Sequence, residues 1–201
     1  MKLYFSPGAC SLSPHIALRE AELPFELEQV DVRAKKTKSG GDFLKVNPKG
    51  QVPTFVLDDG DILTEGPAIV QYIADQRPEA GLAAAAGTRQ RYHLIEWLNF
   101  LSSEIHKSFS PLFKPNTPED YKPVAKANLA DRFGYLDRHF AERSYVLGDR
   151  FTVADGYAFT LLTWAPRVGI DLAPWRNVRA FQERIAERPK VREALKVEGL
   201  V

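Results

Sequence analysis

Between Arg77 and Thr88 the character of the chain changes, and this change constrains the fold more than any other feature. Before it, short apolar stretches broken by Pro, Gly and Asn-Pro turns alternate between strand-like and helix-like patterning. After it, no stretch has strand character of that quality, and long helical stripes follow one another. The segment Arg77-Pro78-Glu79-Ala80-Gly81 through Gly87-Thr88, with its alanine run, carries neither pattern. Two domains follow: residues 1–77, a linker over 78–87, and residues 88–201. A chain of 201 residues with 44% hydrophobic content supplies enough apolar surface for two small cores.

The first half reads in order. Lys2–Phe5 is a strand, Pro7-Gly8 a turn, and a helix capped by Ser11 or Ser13 runs on toward Pro24 with Leu12, Ile16 and Ala17 as its apolar stripe. Phe25–Val32 is a second strand, and the strand–helix–strand order makes the pair parallel. Arg33, Lys35, Lys36 and Lys38 lead into Ser39-Gly40-Gly41 as a flexible basic segment. Asp42–Val46 forms a short helix stopped by Asn47-Pro48. Gln51–Leu57 is a strand, Asp58–Asp61 a hairpin turn, Ile62–Thr64 the return strand, and Glu65-Gly66-Pro67 opens a helix. Pro53 cannot donate to a ladder and belongs at a strand's beginning or edge. The order is βαβαββα.

In the second half, Thr88 caps a helix running to about Ser110, with Leu94, Leu98, Leu101, Ile105 and Phe109 on its core stripe. Asn99, Ser102, Ser103 and His106 occupy an adjacent polar stripe. Pro111, Pro115 and Pro118 mark a turn-rich connection. A second long helix carries Leu129, Phe133, Leu136 and Phe140, its start delayed or kinked by Pro123. Thr152-Val153-Ala154-Asp155 resembles a capping box with Asp in place of Glu and begins an apolar helix through Trp164. Residues 178–188 and 189–196 are two short amphipathic helices.

Composition removes several function classes. With 27 basic and 26 acidic residues the net charge is +1, which gives no electrostatic reason to expect nucleic acid or an anionic membrane. One cysteine excludes an intrachain disulfide framework and any multi-cysteine metal site, so no metal is expected, and it fits a reducing compartment. Ser6-Pro7-Gly8 interrupts the apolar start, so no secretory signal is read there, and no run reaches membrane-spanning length. The expected location is cytoplasmic.

That cysteine, Cys10, precedes a helix N-terminus, where unpaired N–H groups and the helix dipole favour a thiolate. The expectation is a thiol pKa depressed below its ordinary value.

Five motifs then stand together: Pro7-Gly8-Ala9-Cys10-Ser11, Asn47-Pro48-Lys49-Gly50-Gln51-Val52-Pro53, Leu63-Thr64-Glu65-Gly66, Glu96-Trp97-Leu98-Asn99, and Phe151-Thr152-Val153-Ala154-Asp155. In register along essentially the whole chain they resemble the bacterial beta class of cytosolic glutathione S-transferases. The resemblance implies an α/β thioredoxin-like N-terminal domain that binds glutathione, an all-α C-terminal domain with a hydrophobic second-substrate pocket, a homodimer, and a cis peptide bond before Pro53. It implies conjugation of the glutathione thiol to small apolar electrophiles.

Glutathione carries two carboxylates, an amine and a thiol, and the residues answer each. Gly66 at a helix start offers N–H groups to the γ-glutamyl carboxylate, Glu65 accepts the γ-glutamyl amine, and the Val52 main chain before Pro53 pairs with the cysteinyl unit. Lys35 is the candidate for the glycyl carboxylate. Asn99, Ser103, Glu104 and His106 resemble the family arrangement in which the helical domain reaches toward the glutathione sulfur. Phe109, Phe113, Tyr157 and Trp164 are candidates for the apolar pocket. Phe5 has no hydroxyl and Tyr4 points to the other side of its strand, which excludes a tyrosine mechanism at position 5 and leaves Cys10, Ser11 and His106 as candidate activating groups. Cys10-Ser11-Leu12-Ser13 lacks a second, resolving cysteine, so a mixed disulfide with glutathione can form but not be resolved within the chain. A non-catalytic binding module on the same fold is the rival reading.

Overall fold

The computed structural model describes residues 1–201, which divide into two compact units: Met1–Ala83 with Arg188–Val201, and Ala84–Glu187. In the first unit the elements are β1 (Lys2–Phe5), α1 (Leu12–Glu20), β2 (Glu26–Asp31), β3 (Lys36–Thr37), a single 3₁₀ turn at Phe43–Lys45, β4 (Thr54–Val56), β5 (Ile62–Thr64) and α2 (Gly66–Gln76). The sheet order is β3-β2-β1-β4-β5. β1 and β2 are parallel, as the strand–helix–strand order requires, and the β1–β4, β4–β5 and β2–β3 pairs are antiparallel. Leu3 of β1 faces both Leu27 and Phe55 in register, so the central strand carries a fully buried side chain.

α1 buries Leu12, Ile16 and Leu18 completely, and Pro14 sits in its first turn, where the missing N–H leaves no gap in the ladder. β3 was not anticipated. The basic run there reads as a solvated loop, yet Thr37 is buried opposite Val30, and its hydroxyl accepts the Gly41 N–H at 2.8 Å to close the turn that follows.

The second unit contains α3 (Arg89–Phe100), a π-helical segment (Leu101–His106), α4 (Lys107–Phe113), α5 (Tyr121–Phe140), α6 (Val153–Leu162) and α7 (Arg176–Ala186). The Thr88 hydroxyl caps α3 by accepting the Arg91 N–H at 3.2 Å. The helix does not stop at Ser110 but continues through Pro111 to Phe113. Nor does Pro123 delay α5: it is the third residue of that helix, inside the first turn, where no intrahelical N–H bond is lost. The Thr152–Asp155 capping box forms as read. Asp155 Oδ2 accepts the Thr152 N–H at 2.8 Å and the Thr152 hydroxyl at 2.9 Å, while Oδ1 accepts the Val146 N–H at 2.7 Å. Every residue of α6 is buried, so it is the central helix of its unit rather than an amphipathic cover.

The last helix, α8 (Pro189–Val197), differs from the domain expectation, which ran to residue 201. It packs against α1 in the first unit. Val191, Ala194 and Leu195 supply the apolar face, and Arg188 clasps Glu20 through two hydrogen bonds of 2.7 Å. Such complementarity between segments so far apart in sequence has no local signature.

Candidate active site

The turn between β1 and α1 is held at several points. The Ala9 N–H donates to the Ser6 carbonyl oxygen at 3.0 Å, and Gly8 takes φ 66°, the left-handed region that glycine enters without penalty. Ser11 is buried. Its hydroxyl accepts the Ser6 N–H at 3.1 Å and donates to the Ser6 carbonyl oxygen at 3.3 Å, so this candidate activating group is engaged in holding the turn. Cys10 emerges at the end of the turn, half-buried, with its thiol donating to the Val52 carbonyl oxygen at 3.2 Å.

Val52 is presented by a second held loop. Buried Asn47 donates through Nδ2 to the Gln51 carbonyl oxygen and to the Thr54 hydroxyl oxygen, both at 2.9 Å, and the Val52–Pro53 peptide bond is cis. Cys10, Val52 and Pro53 are thus brought together by side chains that cross-link the two loops' own backbones.

Burial pushes the Cys10 thiol up from its ordinary value of 9.0 to about 12. The N–H groups of Cys10 and Ser11 act in the opposite direction, as expected at a helix start, but desolvation outweighs them, and the Glu65 carboxylate adds to the upward shift. The expected depressed thiol is therefore corrected: the donors are there, and burial decides the sign.

At the start of α2, Glu65 has φ 70° and ψ 113°, a conformation that costs a non-glycine residue about 1–3 kcal/mol. Its carbonyl oxygen accepts the N–H groups of Ala68 and Ile69, each at 3.0 Å, and Pro67 has none. The donor that this helix start offers is the Gly66 N–H. The exposed Glu65 carboxylate is met by Lys49 Nζ at 2.9 Å, a cation that the sequence reading did not single out because its partner lies sixteen residues on. Lys35, the candidate for a carboxylate, is half-buried with φ 57° and donates from Nζ to the Gly50 carbonyl oxygen at 2.8 Å.

The second unit assembles its own cluster. Within Leu101–His106 the helix widens, and the Lys107 N–H bonds back five residues to Ser102. Such insertions re-aim side chains and concentrate at functional sites. Periodicity at 3.6 residues cannot reveal one. The Ser103 hydroxyl turns back to the Asn99 carbonyl oxygen at 3.0 Å, leaving both residues exposed on one face. Glu104 is taken by Arg132 of α5 through two hydrogen bonds of 3.1 and 2.9 Å, so its carboxylate already has a cationic partner.

His106 Nδ1 lies 2.7 Å from the Tyr157 hydroxyl, and its ring meets Trp164 edge-on at 4.9 Å. Trp164 in turn contacts Phe109 at 5.5 Å and Phe113 at 5.6 Å. The four aromatics expected to line a pocket are therefore brought together around His106. Phe109, Tyr157 and Trp164 are buried, while Phe113 keeps 46% of its surface.

Two family models match the chain: Glutathione S-transferase, N-terminal domain, over residues 1–75, and Glutathione S-transferase, C-terminal domain, over residues 100–189. Over 200 residues, covering 100% of both chains, it is 48% identical to the glutathione S-transferase GstA of Escherichia coli O157:H7. This chain belongs to the glutathione S-transferase family.

Solved transferases carry the assignment to class level. The bacterial beta class glutathione S-transferase of Sphingomonas chungbukensis is 50% identical with a TM-score of 0.98, and both chains are covered completely. A sphingomonad glutathione S-transferase complexed with glutathione is 50% identical with a TM-score of 0.97, again with 100% of both chains covered. The thioredoxin-like first unit and the helical second unit are those of a beta-class glutathione transferase.

Proposed function

We propose that this transferase conjugates the thiol of glutathione to small apolar electrophiles and carries a slower glutathione-dependent thiol transfer or peroxide reduction through a mixed disulfide at Cys10. The observation that carries the reading is the Cys10 thiol resting on the Val52 carbonyl oxygen. It supports a place for a second sulfur bounded by a thiol donor, two backbone N–H groups and an edge of main chain that a peptide can pair with.

In this reading the Gly66 N–H takes the γ-glutamyl carboxylate, Glu65 the amine beside it, Val52 and Pro53 the cysteinyl unit, and Lys35 the glycyl carboxylate. The glutathione thiol loses its proton to solvent. The thiolate, stabilised by these donors, attacks the electrophilic carbon, and the leaving group departs with its electron pair. His106, whose Nδ1 lies 2.7 Å from the Tyr157 hydroxyl, is assigned to the glutathione sulfur on the family resemblance. Asn99, Ser103 and Glu104 are assigned as glutathione contacts on the family resemblance. Phe109, Phe113, Tyr157 and Trp164 are assigned to the apolar pocket on the same ground.

The redox step needs the Cys10 thiolate to attack the glutathione sulfur of a mixed disulfide between glutathione and another thiol, forming the Cys10–glutathione disulfide and expelling that other thiol as its thiolate. With a peroxide, Cys10 is oxidised to a sulfenic acid as the O–O bond breaks, and a glutathione thiol condenses with it, releasing water, to give the same disulfide. A second glutathione thiolate then regenerates Cys10 and leaves oxidised glutathione, because the chain holds no other cysteine. A protonated Cys10 makes this the slower chemistry. The protein is assigned as a cytoplasmic homodimer. The exposed Tyr92 and Tyr135, with Trp97 and Phe100 packed beside Tyr135, give α3 and α5 an aromatic face suited to a second copy. No helix is long and apolar enough to cross a membrane.

Calorimetric titration with glutathione, combined with steady-state conjugation of a panel of apolar electrophiles, tests the reading. Saturable binding with turnover is expected. Absence of glutathione binding contradicts it.

A further inference from the structure

Three polar ties fasten the C-terminal residues to α1. Arg188 clasps Glu20, Arg19 Nη1 donates to Glu193 at 3.1 Å, and His15 Nδ1 lies 2.8 Å from Glu198 Oε1. The first two keep some contact with solvent. The third does not, because both side chains are 0% exposed.

The roles in this buried pair follow from its neighbours. Arg19 Nε donates to His15 Nε2 at 2.9 Å, so that nitrogen accepts, and the ring proton is on Nδ1, directed at Glu198. The other carboxylate oxygen, Oε2, accepts the N–H of Gly8 at 2.8 Å across 190 residues of sequence. Glu198 therefore takes one buried donor on each oxygen, and Arg19 offsets its charge through the imidazole. A carboxylate held this completely is a poor choice for mere packing on a helix whose other inward residues, Val191, Ala194 and Leu195, are apolar.

We infer that Glu198 is a positioning residue for Cys10: by holding the Gly8 amide it sets the Ser6–Cys10 turn and thereby keeps the sulfur on the Val52 carbonyl. Gly8 is the residue of that turn with positive φ, so its backbone has the widest choice of conformation when the Glu198 acceptor is lost. Ser11 holds the turn where it begins, at Ser6, and Glu198 holds it in the middle. The closing of α8 onto α1 is thus a step in completing the thiol site, not an appendage to it.

The test uses the full chain with Glu198→Gln, Glu198→Ala and, as a control on the same helix, Leu195→Ala, which removes packing and leaves both Glu198 bonds. Glutamine keeps the volume but sets an amide N–H₂ against one of the two donors. The readouts are the rate of iodoacetamide alkylation of Cys10 between pH 6 and 10 and the separate KM and kcat for glutathione. Alkylation at pH 7.5 is expected to rise about fivefold or more in Glu198→Gln and further in Glu198→Ala, with KM rising and kcat moving less than about twofold; Leu195→Ala is expected to stay within about twofold of wild type in alkylation. Wild-type alkylation in folded Glu198 variants overturns the inference. So does a Leu195→Ala rate that matches Glu198→Ala at equal loss of Tm. The kinetic arm rests on the glutathione-site reading and the alkylation arm does not: faster alkylation with unchanged KM sinks that reading and keeps the positioning role.

Discussion

The Cys10 thiol donates to the Val52 carbonyl oxygen at 3.2 Å, joining two loops 42 residues apart. A sulfur in this position is a hydrogen-bond donor first and a nucleophile second. With burial pushing the thiol up to about 12, the fold retains the proton to higher pH than the unfolded chain, whose thiol has the ordinary value of 9.0. The stabilising preference for the thiol is present below pH 9 and is lost as pH rises toward 12. Cys10 alkylation should accelerate about tenfold per pH unit with no plateau through pH 10. A plateau below pH 9 would mean that the thiol is not held protonated.

Glu65 stores backbone strain at the start of α2. Replacing it with glycine relieves the φ 70° conformation and removes the carboxylate that Lys49 meets. Global stability by denaturant unfolding should change by less than about 1 kcal/mol, because relief of strain is offset by the flexibility of glycine in the unfolded chain. KM for glutathione should rise about tenfold or more. An unchanged KM would reduce Glu65 to a structural residue.

His106 and Tyr157 form the corresponding pair in the second unit. Tyr157→Phe keeps the ring and removes the 2.7 Å hydrogen bond that orients the imidazole. Stability should fall by about 1 kcal/mol and kcat for conjugation by about three- to tenfold, with a smaller further loss when His106→Ala is added than His106→Ala causes alone. Fully additive losses would separate the two residues. Among the neighbouring aromatics, Phe109→Ala should cost about 3–5 kcal/mol and half-exposed Phe113→Ala far less, so only the latter is a clean probe of electrophile KM.

Asp155 makes stability depend on pH. Burial pushes its carboxyl up from 3.8 to about 7 even though three donors meet it. The fold therefore favours the protonated acid. This contribution is fullest below the unfolded value of 3.8 and is lost as pH rises toward 7, by about 1.4 kcal/mol per unit. Relative to wild type, Asp155→Asn should flatten that slope while weakening the Thr152 cap by about 1 kcal/mol throughout. Parallel curves for the two proteins between pH 4 and 7 would contradict it.

What could be read from sequence was what local chemistry specifies. Lys2–Phe5 is a short apolar run cut off by Pro7-Gly8, and Thr88 and Thr152 are hydroxyl caps at the start of apolar stripes; each stands in the structure as read. What could not be read depends on distant partners or on sums of opposing terms. Thr37 becomes a strand residue because Val30 faces it, and the Leu101–His106 segment widens without any residue that announces it. Glu104 is engaged because Arg132 reaches it from α5, and Glu198 meets Gly8 from nearly the other end of the chain. The direction of the Cys10 shift needed the balance between backbone donors and desolvation, and only the donors are visible in a sequence.

In the proposed function, conjugation proceeds on the thiol of bound glutathione, while Cys10 acts as a nucleophile only in thiol transfer. The direct measurement is Cys10→Ala assayed in parallel for glutathione conjugation to an activated aryl chloride and for reduction of a glutathione mixed disulfide. Thiol transfer should fall about a hundredfold or more, and conjugation should keep at least about a tenth of its kcat. Equal loss of both activities would contradict the account.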